Sequence, residues 1–111
     1  MARLNYLELP VVDTARAKAF YSAAFGWSFA DYGPTYAATT SGDTDIGFQA
    51  DPAETTSVAL PVIAVDDLEA ALAAASAAGG RVTRPIFAFP GGRRFHFTDP
   101  DGHELAAVAA G

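Results

Sequence analysis

The chain has 111 residues, half of them apolar, with 8 Phe, 4 Tyr and 1 Trp, which is enough for one compact domain with a sizeable core. It has no cysteine, so disulfides, thiolate metal sites and thiol nucleophiles are excluded. A net charge of −6 disfavours nucleic acid and anionic membranes as partners, and no apolar run is long enough to cross a bilayer. We therefore expect a cytoplasmic protein whose partner is a small molecule.

The first part of the chain, residues 1–50, predicts a βαβββ module. Residues 4–11 alternate between two sets of side chains, a pattern typical of a strand with one buried face. Asp13 is well placed to cap a helix over 14–25, and Gly26 supplies the left-handed residue that ends a helix. Short strands are then predicted at 27–29, 36–40 and 46–49.

The second part, residues 58–111, predicts the same order of elements after a polar, proline-bearing linker at 51–57. Asp66 or Asp67 caps an alanine-rich helix. The predicted elements are a strand at 58–65, a helix at 67–78, a strand at 81–86 and a hairpin that joins 93–98 to 103–109. The hairpin turn is Asp-Pro-Asp-Gly, in which Pro fixes φ and Gly accepts a positive φ.

The two parts are copies of one structural unit. Asp13 and Gly26 are 13 positions apart, as are Asp66 and Gly79, and each pair brackets a predicted helix that follows an apolar strand. We therefore predict a single α+β domain over 1–111, made of two tandem βαβββ modules. Because the modules account for the whole chain, any functional site must be built from them.

Two sequence signatures resemble one family. The first is Asp-Thr-Ala-Arg-Ala-Lys-Ala-Phe-Tyr followed by Phe-Gly-Trp, and the second is Phe-His-Phe-Thr-Asp-Pro-Asp-Gly-His-Glu-Leu. Together they resemble the vicinal oxygen chelate superfamily of glyoxalase, bleomycin-resistance and extradiol-dioxygenase proteins, and most of all its small bacterial glyoxalase-like members. The resemblance implies that the two modules form a curved mixed sheet around a cleft, whose inner face carries metal ligands or a bound drug.

The resemblance also implies four metal-ligand positions, usually occupied by His, Glu or Gln. In this sequence they fall at Tyr6, Leu60, Ala106 and the segment 47–49, where Gln49 is the only suitable donor. Since tight sites need three or four N or O ligands, we predict no metal and no other cofactor there. If this assignment of positions is wrong, a divalent metal stays an alternative, with ligands drawn from Glu8, His96, His103 and Glu104.

Strand alternation predicts which residues line the cleft. Tyr6 and Glu8 share one face of the first strand, and we expect Phe95 and Phe97 to share a face with Glu104, Ala106 and Val108, leaving His96 on the helix-covered side. The predicted ligand-binding residues are Tyr6, Glu8, Trp27, Tyr36, Phe48, Leu60, Arg93, Phe95, Phe97 and Ala106. Glu8 and Glu104 are the candidate acid–base groups, since a carboxylate in an apolar pocket can have a raised pKa; a purely structural role is the alternative.

Four arginines, namely Arg81, Arg84, Arg93 and Arg94, surround the Pro-Gly-Gly segment of the second module. They form either an anion site or a solvated hairpin whose arginine stems cover aromatic rings.

These residues favour a protein that binds a small planar or aromatic ligand in a metal-free cleft. The alternative is a lyase or isomerase that acts on a small carbonyl compound, with or without metal. A third interpretation is an interaction module whose apolar sheet edges form a homodimer. We expect a homodimer, which is compatible with either of the other two interpretations.

Overall fold

The computed structural model describes residues 2–110. In chain order the elements of this range are β1 (Arg3–Pro10), α1 (Thr14–Phe25), β2 (Ala30–Asp31), β3 (Tyr36–Ala38), β4 (Asp45–Gln49), β5 (Leu60–Ala64), α2 (Leu68–Ala77), β6 (Arg81–Phe89), β7 (Gly92–Thr98) and β8 (Glu104–Ala110). The chain divides into two compact units: Tyr6–Leu60, called unit A, and the start of β1 together with the chain from Pro61 onward, called unit B. Neither helix in the described range is both long and apolar enough to cross a membrane.

Unit A has the strand order β2-β3-β4-β1, in which β4 pairs antiparallel with β3 and parallel with β1. Helix α1 has the predicted bounds. The Asp13 carboxylate accepts a hydrogen bond from the Ala15 N–H (2.9 Å), and Gly26 ends the helix with φ of 72°. The strand predicted at 27–29 is wrong, because Trp27 is held against the end of the helix by stacking on Tyr21 and β2 begins only at Ala30.

Unit B has the strand order β5-β8-β7-β6, in which β8 pairs parallel with β5 and antiparallel with β7. Asp67 caps helix α2, since its carboxylate accepts a hydrogen bond from the Ala70 N–H (3.0 Å). In both units the last strand of the module lies between the first strand and the third. The predicted duplication and the α+β class are therefore confirmed.

Each unit has its own core beneath its helix. In unit A the fully buried Phe48 of β4 packs against Tyr21 of α1 and against Phe29, with ring centroids 5.4 Å and 5.1 Å away. In unit B the buried cluster is Leu68 of α2, Phe95 of β7 and Ala107 of β8. In each case the helix therefore covers the face of the sheet to which these side chains belong, and the opposite face carries the polar groups described next.

Candidate functional site

A group of three polar side chains lies on the face of unit A that points away from α1. The Tyr6 and Tyr36 hydroxyls are 2.5 Å apart, and the Tyr36 hydroxyl donates to Oε1 of Glu8 at 3.0 Å. Only 2% of Glu8 is exposed to solvent. We call Tyr6, Glu8 and Tyr36 the tyrosine network. It brings together three of the residues that the sequence predicted to bind a ligand.

The strand register explains why these side chains meet. Tyr6 and Glu8 are two residues apart on β1, so they share a face, and Glu8 lies opposite Gly47 of β4. Tyr36 enters from β3 on the other side of β4. Gly47 has no side chain, and a Cβ atom there would collide with both tyrosine hydroxyls. The network therefore depends on a glycine in the middle of a strand.

The hydrogen bonds of the network have a defined direction. A carboxylate only accepts, so Tyr36 uses its single proton on Glu8, and the proton between the two hydroxyls must come from Tyr6. Burial, followed by the charge of Glu8 and the neighbouring Tyr6, raises the pKa of Tyr36 far above its usual range. Tyr36 therefore stays a neutral hydrogen-bond donor at any physiological pH.

Trp27 and Phe48, also predicted as ligand-binding residues, lie apart from this network. Both rings stack on Tyr21 of α1, with interplanar angles of 5° for Trp27 and 26° for Phe48. Phe48 follows Gly47 in β4, so its side chain points to the helix-covered face. These two residues thus contribute to the aromatic packing between the sheet and the helix.

In unit B the face assignment made from the sequence is wrong. Phe95 pairs with Ala107 and Phe97 with Leu105, so the two phenylalanines share the helix-covered face and pack against α2. His96 pairs with Ala106 on the opposite face, where Glu104 also lies. The face predicted from strand alternation corresponds to a hairpin register that is off by one residue, and a slip of one residue exchanges the two faces of a strand.

His96 and Glu104 form a side-chain pair on this second face. Nδ1 of His96 lies 3.2 Å from Oε2 of Glu104. The arginines Arg84 and Arg94 lie near the same ring of Phe87, with their Cζ atoms 3.7 Å and 5.3 Å from its centroid. Burial first, and the Arg94 charge second, lower the pKa of His96, although its hydrogen bond to Glu104 acts in the opposite direction.

Arg93, predicted to bind a ligand, is engaged elsewhere. Its guanidinium forms a two-pronged ion pair with Glu69 of α2, with N–O distances of 2.7 Å and 3.2 Å. This exposed pair links β7 to the helix. Of the four arginines that the sequence grouped, Arg84 and Arg94 are the two that the structure places beside His96 and Phe87.

An open groove of about 450 Å³ lies at the surface of unit A between the end of β1 and α1. Its lining includes Val11, Asp13, Arg16 and Phe20. None of the predicted ligand-binding residues belongs to this lining, so the groove is a separate feature of the same unit.

Residues 3–107 match the family model of the Glyoxalase/Bleomycin resistance protein/Dioxygenase superfamily. The chain belongs to this superfamily. Among curated relatives, a protein named "Putative glyoxylase CFP32" in Mycobacterium bovis and Mycobacterium tuberculosis is 32% identical in an alignment 109 positions long that covers 88% of this chain. The match spans only 42% of that protein, so this chain accounts for less than half the length of these relatives.

Solved structures of the superfamily share the fold. A Mn(II)-bound glyoxalase from Novosphingobium aromaticivorans aligns with a TM-score of 0.70 and 21% identity, covering 98% of this chain and 40% of that one. A glyoxalase/bleomycin resistance protein/dioxygenase superfamily member from Vibrio splendidus aligns with a TM-score of 0.68 and 14% identity, covering 99% of each chain. At these identities the likeness shows the fold alone.

The residues at the positions implied for metal ligands do not fit a metal ion. Leu60 and Ala106 are 1% and 0% exposed and have no side-chain donor atom. The side-chain oxygen of Gln49 accepts a hydrogen bond from the Asp51 N–H at 3.0 Å, and the Tyr6 hydroxyl is bonded to Tyr36. Since a divalent transition-metal site needs three or four converging N, O or S ligands, these positions offer too few donors.

A group of potential metal ligands does occur in the turn between β7 and β8. Asp99, Asp101 and His103 each place one ligand atom within 4.8 Å of the others. The Asp99 carboxylate already accepts hydrogen bonds from the Asp101 and His103 N–H groups and contacts Nδ1 of His103 at 3.0 Å. These bonds, above all the one from the His103 N–H, lower the pKa of Asp99 and account for the cluster as part of the turn.

The sequence pattern is a poor guide to the role of two residues, Gly47 and His96. In the sequence, Gly47 belongs to the segment 47–49, in which Gln49 is the only suitable metal ligand. Glycine inside a strand, however, often marks the close approach of another group. His96 was assigned to the wrong face. A hairpin register that pairs Thr98 with Glu104 would have placed it beside Glu104.

Proposed function

We propose that this chain binds a small planar or aromatic organic ligand without a metal ion, and that the tyrosine network forms the polar part of the binding site. The observation that carries the proposal is the pair of tyrosine hydroxyls over Gly47, backed by the buried Glu8. Tyrosine and glycine stand here at two positions where the family resemblance implies metal ligands.

The chemistry of the network suits a neutral or cationic ligand with N–H or O–H donors. A carboxylate has about four acceptor sites, so Glu8 can accept a ligand N–H or O–H as well as the hydrogen bond from Tyr36 and its other contacts. The tyrosine rings offer flat apolar surfaces on which a planar ligand can stack. A donor group directed at Glu8 would thus combine a charge-assisted hydrogen bond with aromatic contact.

A lyase or isomerase reaction is the second candidate, and one observation favours considering it. Glu8 is a buried carboxylate that could accept a proton, and Tyr36 is a neutral donor that could stabilise a developing oxyanion. In this structure, however, the two groups are bonded to each other at 3.0 Å. Turnover would require both to exchange partners when substrate binds, whereas binding requires the side chains over the buried Glu8 to move so that a ligand donor reaches it, with the Tyr36 hydrogen bond kept.

Fragment binding followed by protein NMR tests the proposal. We would titrate the ¹⁵N-labelled protein with planar aromatic amides and amines, beginning with benzamide and aniline, and follow the backbone amides of Tyr6, Tyr36 and Gly47. We expect shifts at these amides, and affinity reduced by about 10-fold or more in Glu8→Gln, because a hydrogen bond to a charged group contributes about 1.5–3 kcal/mol.

The control variant is Tyr32→Phe, in which an exposed tyrosine of unit A loses its hydroxyl but keeps its ring, 6.4 Å from the ring of Tyr36. It should bind fragments like the parent protein. Binding confined to the groove beside α1, or equal affinity in Glu8→Gln and the parent, would refute the proposal. Steady consumption of a bound carbonyl compound would instead support the enzymatic alternative.

A further inference from the structure

His96 of unit B is a buried histidine with one ring nitrogen that has no hydrogen-bond partner among the described residues. It is a strand residue with 3% of its surface exposed, and its ring lies 5.9 Å from that of Phe87. Nδ1 contacts Glu104, but the other ring nitrogen, Nε2, is buried without a hydrogen-bond partner among the described residues. A buried polar atom without a partner costs about 1–3 kcal/mol, so its retention needs an explanation.

The contact with Glu104 fixes the tautomer of His96. A carboxylate only accepts hydrogen bonds, so Nδ1 must carry a proton. Burial lowers the pKa of His96, which keeps the ring neutral near pH 7 and leaves Nε2 with a free lone pair. The imidazole is therefore oriented by Glu104 as an acceptor, and the group missing from the site is a hydrogen-bond donor.

The charges around His96 determine what kind of molecule can supply that donor. Glu104 of β8 is the acidic group in contact with the ring, and the Arg94 and Arg84 charges both disfavour protonation of His96. The same two positive charges disfavour a metal ion at Nε2. They favour an anion, and each guanidinium has five N–H donors, so it can hold a carboxylate in addition to its present contacts.

We propose that His96, Arg84 and Arg94 form a binding site for a small organic carboxylate that also carries a hydroxyl group. The hydroxyl donates to Nε2 of His96, and the carboxylate lies against the two guanidiniums. Nε2 is closed to solvent, so neighbouring side chains must move to admit the ligand. The site lies wholly within unit B and does not depend on the tyrosine network.

Glycolate and acetate are a matched pair of probes, because both are small carboxylates and only glycolate has a hydroxyl. We would titrate each into the 111-residue chain and record the ring ¹⁵N signals of His96 by NMR. The free protein should show protonated Nδ1 and unprotonated Nε2. Glycolate should move the Nε2 signal and bind about 3- to 10-fold more tightly than acetate, the range expected for one neutral hydrogen bond.

Variants separate this site from the rest of the molecule. His96→Gln should abolish the preference for glycolate, while His103→Gln, which changes the exposed histidine of the turn, should preserve it. Glu8→Gln should also preserve it, so failure of the proposed ligand site in unit A would leave this result unchanged. A protonated Nε2 in the free protein, equal affinity for the two probes, or no binding of either would overturn the inference; all three are measured on the unaltered protein.

Discussion

Substituting Gly47 by alanine tests the packing of the tyrosine network directly. The φ angle of Gly47 is not in the positive region, so the backbone itself accepts alanine, and the change would ordinarily stabilise a strand by about 0.5–1 kcal/mol. Here the added Cβ collides with the Tyr6 and Tyr36 hydroxyls and lies 2.8 Å from Cζ of Tyr6. Both tyrosines must therefore move.

The expected cost follows from these contacts. Overpacking a buried site costs about 1–3 kcal/mol, and displacing Tyr36 from Glu8 removes a hydrogen bond to a charged group, worth about 1.5–3 kcal/mol. After the gain from alanine, we expect Gly47→Ala to lower the free energy of unfolding by about 2–4 kcal/mol. For a domain of this size that corresponds to a fall in Tm of about 8–16 °C.

Chemical denaturation and calorimetry of four proteins provide the assay: the parent, Gly47→Ala, Tyr36→Phe and the double variant. Removing the Tyr36 hydroxyl makes room for part of the new Cβ, so Gly47→Ala should cost less in the Tyr36→Phe background, by about 1 kcal/mol or more. Additive costs, or a Gly47→Ala protein as stable as the parent, would show that the hydroxyls do not lie over Gly47.

Two further predictions concern unit B. Burial lowers the pKa of His96, so the unfolded chain binds a proton at this residue more readily than the folded protein does. The free energy of unfolding should therefore be at its full value above about pH 6.5 and should decrease as the pH drops below that value. Urea denaturation at several pH values should show this loss in the parent and not in His96→Gln, and a parent protein whose stability is flat there would contradict it. Asp67→Ala removes the cap of α2 and should lower the free energy of unfolding by about 0.5–2 kcal/mol, which hydrogen exchange should detect as faster exchange of the Ala70 amide. Asp66→Ala is the control and should leave that amide protected.

Local signals in the sequence were sufficient for most of the fold. Asp13 and Gly26 mark the ends of α1 because a capping side chain and a left-handed glycine act within a few residues of themselves. The duplication was visible because the same signals recur in the second module. The choice between Asp66 and Asp67 as the second cap needed coordinates, since either could place a carboxylate near the first turn.

The candidate sites depend on pairing between distant strands, and there the sequence was less informative. Alternation showed that Phe95 and His96 point to opposite faces, but not which face the helix covers. The register across the β7–β8 turn decides that, and an error of one residue exchanged the two faces. The contact between Tyr6 and Tyr36, 30 residues apart, likewise depends on β4 lying between β1 and β3, an arrangement that spacing along the chain does not specify.

Metal content measures the central claim most directly. The protein would be purified without a histidine tag, offered Zn²⁺, Ni²⁺, Mn²⁺ and Fe²⁺, desalted and analysed for bound metal, together with an Asp99→Asn variant that disables the cluster in the β7–β8 turn. We predict far less than one ion per chain in both proteins, and any metal lost in Asp99→Asn belongs to the turn. Near-stoichiometric metal that persists in Asp99→Asn would contradict the metal-independent binding that we propose.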